Sequence, residues 1–137
     1  MVSITKIFTF EAAHAISEHT GQCRHVHGHS YRLEVCVSAE QFDELGMVMD
    51  FKELKQIVNE NYLDYLDHAL ILKRDSAHRF LSDSSEAKVF LMDAEPTVEQ
   101  MLLLAVDTIR PNLPERVSLV RLKLYETATS FGEWTAS

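Results

Sequence analysis

The sequence predicts an α+β fold in which two helices cover one face of a four-stranded antiparallel sheet. Three observations carry this expectation. The first forty residues contain two long segments with strand-like alternation, separated by a polar stretch and able to pair as a hairpin. Two segments with apolar residues at helical spacing lie further along, each opening on a capping residue. A further alternating segment follows the second helix.

In the first strand, "SITKIFTFEAAH", Ile4, Lys6, Phe8 and Phe10 alternate with Thr5, Ile7, Thr9 and Glu11, and most of these residues are β-branched or aromatic. The loop "SEHTGQCRHV" leads to "HGHSYRLEVCVSA", where Tyr31, Leu33, Val35 and Val37 share one face and Arg32, Glu34, Cys36 and Ser38 the other. "EQFDELG" reads as the connection back, with Met47 to Met49 extending a short partner strand. Asp50 caps the first helix with Glu53 three residues on, and Phe51, Leu54, Ile57, Val58 and Tyr62 form its apolar stripe. "NYLDYLDH" ends that helix, the polar stretch 73–86 reads as an exposed loop, and "AKVFLM" as a short strand. Thr97 caps the second helix, whose stripe runs Val98, Met101, Leu102, Ala105, Val106 and Ile109 until Pro111 stops it. "RVSLVRLKLYE" is the last strand, and no internal repeat or low-complexity segment interrupts the order.

At 137 residues the chain has room for one domain, spanning 1–137, with a proper core. A net charge of −8 argues against non-specific nucleic-acid binding, which needs a basic surface, while leaving room for an anionic small substrate held by a few local cations. No apolar run approaches the roughly 20 residues that span a bilayer, and the N-terminus lacks a basic-then-apolar leader pattern. A cytoplasmic location is the expectation. With only Cys23 and Cys36, a disulfide framework is not expected.

The chemistry-bearing residues cluster in "CRHVHGH", 23–29. His27 and His29 are one residue apart, so on a strand their imidazoles point to the same side. Pairing of the first two strands brings His14 close to them, and three neutral imidazoles with an open fourth position describe a catalytic zinc site. Each histidine taken alone reads more readily as a surface or hydrogen-bonded residue than as a ligand, and His19, His25 and His78 are left in that group. The spacing of His27, His29 and Glu34 is also similar to a cupin metal motif. Gln41 stands where that motif has glycine, no histidine follows His78, and Glu34 belongs to the opposite strand face.

Cys23 sits in a polar loop beside Arg24 and several histidines, surroundings that favour thiolate and make it a candidate base or nucleophile. Cys36 lies in an apolar run and reads as packing. Asp67 and His68 are adjacent in the apolar stretch "YLDHALIL", where a carboxylate can orient an imidazole for proton transfer; a helix-end aspartate beside an exposed histidine is the equal alternative. Glu126 shares a strand face with Val120, Leu122 and Leu124, where a carboxylate calls for a partner such as ligand N–H donors, unless it simply reaches solvent from the strand end.

Together "FEAAH", "CRHVHGHSY", "GMVMDFKELK", "LDHALIL", "PTVE" and "YETATS" resemble the 6-pyruvoyltetrahydropterin synthase family over nearly the whole chain. The Cys-x3-His-Gly-His spacing is similar to its 6-carboxytetrahydropterin synthase branch. The resemblance implies a T-fold whose sheets join into a β-barrel in trimers, and a homohexamer of two trimers with active sites between subunits. It implies zinc on His14, His27 and His29, with Cys23 as the proton-transferring thiol. It further implies His68 with Asp67 as relay, Glu126 anchoring the pterin ring, and Thr97 and Glu99 helping to bind it. The expected reaction converts 7,8-dihydroneopterin triphosphate to 6-carboxy-5,6,7,8-tetrahydropterin, a step towards queuosine, with a pyruvoyl-forming synthase and a non-enzymatic zinc module as alternatives.

Overall fold

The structure, a computed structural model, describes all residues, 1–137. Strands β1 (Ser3–His14) and β2 (His27–Ala39) form a long antiparallel pair in which His14 stands opposite His27 and Ala12 opposite His29. The chain then runs through α1 (Phe51–Val58), a π-helical turn (Asn59–Leu63) and a last α turn, α2 (Asp64–Leu66). Next come β3 (Ala69–Lys73), β4 (Val89–Met92), α3 (Val98–Ile109), β5 (Val117–Thr127) and β6 (Ser130–Thr135). Both predicted caps form: the Asp50 side chain accepts from the Lys52 amide at 2.8 Å, and Thr97 Oγ1 from the Gln100 amide at 3.2 Å.

The sheet has six strands in the order β4-β3-β1-β2-β5-β6, which corrects the expected four-stranded antiparallel arrangement. It is mixed, because β3 pairs parallel to both β1 and β4. β3 is apolar at every position but its last, so it shows none of the alternation that marks a strand with one wet face. β6 is an edge strand of mixed polarity that folds back on β5 as a hairpin, and Gly132 in its middle weakens the strand signal. Met47 to Met49 form no strand; Val48 and Met49 are instead buried as the chain enters α1.

One face of the sheet carries the core. Phe8, Phe10, Tyr31, Leu33, Val35, Leu122 and Leu124 meet Leu54, Val58, Tyr62, Met101, Leu102, Ala105 and Ile109 from the helices. All six stripe residues of α3 are buried, whereas Phe51 in α1 stays half exposed. The opposite face is uncovered and displays rows such as Ile7, Glu34, Lys123 and Glu133, aligned across four strands. Tyr31 stacks on Phe10 with ring centroids 4.8 Å apart, so the last apolar layer of the core lies directly under the histidines.

Candidate active site

The strand pairing brings His14, His27 and His29 together at one end of the core face, with one ring nitrogen of each within 4.8 Å of the others. His14 is buried and the other two are partly so. The outward nitrogens are committed to main-chain carbonyls: His14 Nδ1–H donates to Pro96 O at 2.8 Å, and His27 Nδ1–H to His25 O at 2.7 Å. This sets the tautomer of both rings and leaves their Nε2 lone pairs facing each other at 3.0 Å. Two lone pairs at that distance repel unless a proton or a metal ion lies between them. His29 Nε2 is buried without any hydrogen-bond partner. Burial holds the His14 and His29 pKa values below the ordinary 6.5, against the opposing pull of the Glu126 carboxylate. Three convergent imidazoles with an orphaned nitrogen fit a divalent metal well.

Glu126 completes the group from β5. Its Oε1 lies 3.3 Å from both His14 Nε2 and His29 Nε2, with no hydrogen bond to either. Tyr125 pairs with Phe131 and Thr127 with Ser130, so Glu126 is the extra residue of a β-bulge. Bulges re-aim side chains in this way at the margins of functional sites.

The loop between β1 and β2 folds back onto this cluster. Cys23 occupies a single 3-10 turn (Gln22–Arg24), and its carbonyl accepts from the Ile16 amide at 2.7 Å, two residues beyond His14. Cys23 is partly buried and lies outside the metal-competent group. Asp67 and His68 do contact each other: His68 Nδ1 lies 2.9 Å from Asp67 Oδ1. Their turn lines a separate stretch of surface, a cleft of about 600 Å³ that runs from His29 past Gly28, Ser30 and Glu11 to His68 and Lys88. Thr97 spends its hydroxyl on the helix cap, and Glu99 is exposed in the first turn of α3 without a side-chain hydrogen bond.

Several supporting groups escaped the sequence reading. The carbonyls of Pro96 and His25 orient two rings, and no side-chain pattern reveals a main-chain acceptor. His25 thus contributes through its backbone. Tyr31, whose hydroxyl lies 3.4 Å from His14 Nδ1, was legible only as a core residue. Glu95 accepts from the amide and hydroxyl of Ser17, pinning the start of the β1–β2 loop to the segment before α3.

A mixed sheet covered on one face by two helices, ending in a three-histidine cluster with a facing carboxylate, defines a T-fold protein. The chain belongs to the 6-pyruvoyl tetrahydropterin synthase family, whose model matches residues 3–136. It is 34% identical over 137 residues to a 6-carboxy-5,6,7,8-tetrahydropterin synthase of Rickettsia conorii, covering 97% of this chain and 99% of that protein. It is 36% identical over 129 residues to a dihydroneopterin monophosphate aldolase of Pyrococcus furiosus, covering 92% of each. The solved 6-pyruvoyl tetrahydropterin synthase of Caenorhabditis elegans superposes with a TM-score of 0.68 at 22% identity, over 99% of this chain and 96% of that one.

Proposed function

We propose that this protein is a zinc-dependent 6-carboxy-5,6,7,8-tetrahydropterin synthase, a lyase acting on 7,8-dihydroneopterin triphosphate and one water with release of triphosphate and acetaldehyde. The observation that carries the reading is the convergence of His14, His27 and His29 with Glu126 beside them. Full-length similarity to a protein of that name supports the choice of reaction. His14, His27 and His29 would hold the metal, which supplies Lewis acidity towards the oxygens of the substrate side chain.

The remaining roles fall to the protein's own groups. Glu126 accepts N–H donors from the pterin ring, which fixes the ring and points its side chain at the histidines. Thr97 and Glu99, at the start of α3, border the ring-binding end. The Cys23 thiolate takes a proton from the substrate side chain. His68, kept in one tautomer by its contact with Asp67, returns a proton elsewhere on the same side chain. No redox cofactor is needed, because oxidation state is redistributed within the substrate. The uncovered sheet face, with Ile7 and Phe131 about half exposed, supports assembly into trimers and then a homohexamer, which sedimentation can test.

Incubation with dihydroneopterin triphosphate and mass analysis of the product tests the assignment. The expected product carries a carboxylate at C6 and is formed with one equivalent of acetaldehyde. A pyruvoyl product without acetaldehyde would move the protein to the other branch. An aldol cleavage, the reading favoured by similarity to the Pyrococcus furiosus aldolase, would leave a 6-hydroxymethyl pterin instead. Absence of any turnover would leave a zinc-binding module.

A further inference from the structure

The turn that carries Asp67 and His68 is strained and unusually well held. Asp67 ends the helix, and His68 follows with φ at 64°, the left-handed position that helix ends normally fill with glycine. A β-carbon at this position is disfavoured, so the surrounding contacts must over-determine the conformation. Two of them come from β1: the His68 amide donates to Glu11 O at 2.6 Å, and the Glu11 amide donates to Asp67 Oδ1 at 3.0 Å.

The third hold comes from far along the chain. Lys88 Nζ donates to Asp64 O and Asp67 O, both at 2.7 Å, at the end of the helix where unpaired carbonyls concentrate negative potential. The main chain of Lys88 is itself fixed, because its carbonyl accepts from the Leu70 amide at 2.9 Å, two residues after His68. Lys88 therefore grips the segment on both sides of His68, with its ammonium before it and its carbonyl after it. It also stands on the wall of the cleft that contains His29 and His68.

We propose that Lys88 is a positioning residue for the reaction, acting through the main chain of Asp67 to keep the His68 imidazole aimed into the cleft. The proposal rests on the reading of Asp67 and His68 as the proton relay. Lys88 touches neither the metal-competent cluster nor Glu126, so its loss should change the proton-transfer step and spare metal binding and ring binding.

Lys88→Met, Lys88→Gln and Lys88→Arg, together with His68→Ala, test this in the full-length, zinc-loaded protein. Lys88→Met should lower kcat about 10- to 100-fold, the cost of misplacing a catalytic group by about an ångström, with KM within about twofold. Lys88→Gln, which keeps a neutral donor, should fall between, and Lys88→Arg, which keeps charge and donors, should recover most of kcat. Hydrogen exchange at the His68 amide should quicken in the Met variant in parallel with the loss of kcat. Wild-type kcat in the Met and Gln variants, with His68→Ala inactive, would overturn the role of Lys88 and leave the relay standing. Wild-type turnover by His68→Ala would overturn the relay, and the proposal with it. Should Lys88→Met not fold, the Gln and Arg pair decides between the same outcomes.

Discussion

His14 and His27 face each other directly across the β1–β2 ladder, their Nε2 atoms 3.0 Å apart and their Nδ1 atoms each bonded to a carbonyl. Neither ring can relieve that contact by changing tautomer without abandoning its carbonyl. Purified protein should therefore contain about one zinc per chain, and His27→Ala should reduce that to a small fraction. Removing a metal that binds only the folded state also lowers the melting temperature, by mass action. Elemental analysis and thermal melts with and without chelator check both points. A melting temperature indifferent to chelation would count against a metal in this site.

Acid should destabilise the metal-free protein in a defined direction. Burial holds the folded pKa of His14 and His29 below 6.5, while the unfolded chain titrates near that value. As pH falls through 6.5 the unfolded state takes up more protons than the folded one, so stability present above this value is lost towards the lower folded pKa values. The melting temperature of the metal-free protein should drop between pH 7 and pH 5, and saturating zinc should shift the drop to lower pH. A flat profile in the metal-free protein would show that the cluster is not buried as neutral imidazoles.

Much of this site was legible in the sequence because its geometry follows from strand periodicity. The spacing of His27 and His29 put both rings on one face, and pairing of two alternating segments brought His14 alongside. Glu126 was legible for the same reason, as the carboxylate at the end of an apolar strand face. The β-bulge that aims it depends on the register of β6, a strand whose central glycine and mixed polarity gave no signal. β3 was missed because a strand flanked by parallel neighbours is apolar on both faces and looks like the tail of the helix before it. The holds on His14, His27 and His68 come from main-chain carbonyls and a distant lysine, which only the folded chain brings together.

Cys23 and the histidine cluster should separate by mutation. The thiol contributes no ligand to the three-histidine group, so Cys23→Ala should keep its zinc and its melting temperature. If the thiol transfers a proton in the reaction, its loss should cost about 10²- to 10⁴-fold in kcat. Zinc content measured alongside single-turnover kinetics distinguishes this from indirect loss through the metal. A variant that loses zinc would make the cysteine a ligand after all.

Glu126 can be a ring anchor or a fourth ligand, and one substitution tells them apart. Glu126→Gln keeps the shape but exchanges an acceptor-only carboxylate for an amide. If it anchors the ring, a charge-assisted hydrogen bond of about 1.5–3 kcal/mol is weakened. KM should then rise roughly 10- to 150-fold at unchanged zinc content. Loss of zinc with little change in KM per loaded site would instead assign Glu126 to the metal.

Gly132 links the edge of the sheet to the histidines through α3. A β-carbon on it would lie 2.6 Å from Val98 Cγ1 and 3.0 Å from Leu102 Cδ1. Val98 is buried at the first position of α3, so relieving the clash displaces its side chain together with the first turn of the helix. Pro96, whose carbonyl orients His14, lies two residues before Val98. Gly132→Ala should therefore destabilise the protein by about 1–3 kcal/mol through overpacking. If His14 is a zinc ligand, the same change should weaken zinc binding roughly 10-fold by disturbing the acceptor behind its ring. Adding Val98→Ala, which clears the nearest clash, should restore a large part of both. Recovery of stability without recovery of zinc affinity would show that the helix start and the histidine cluster are not coupled through Pro96.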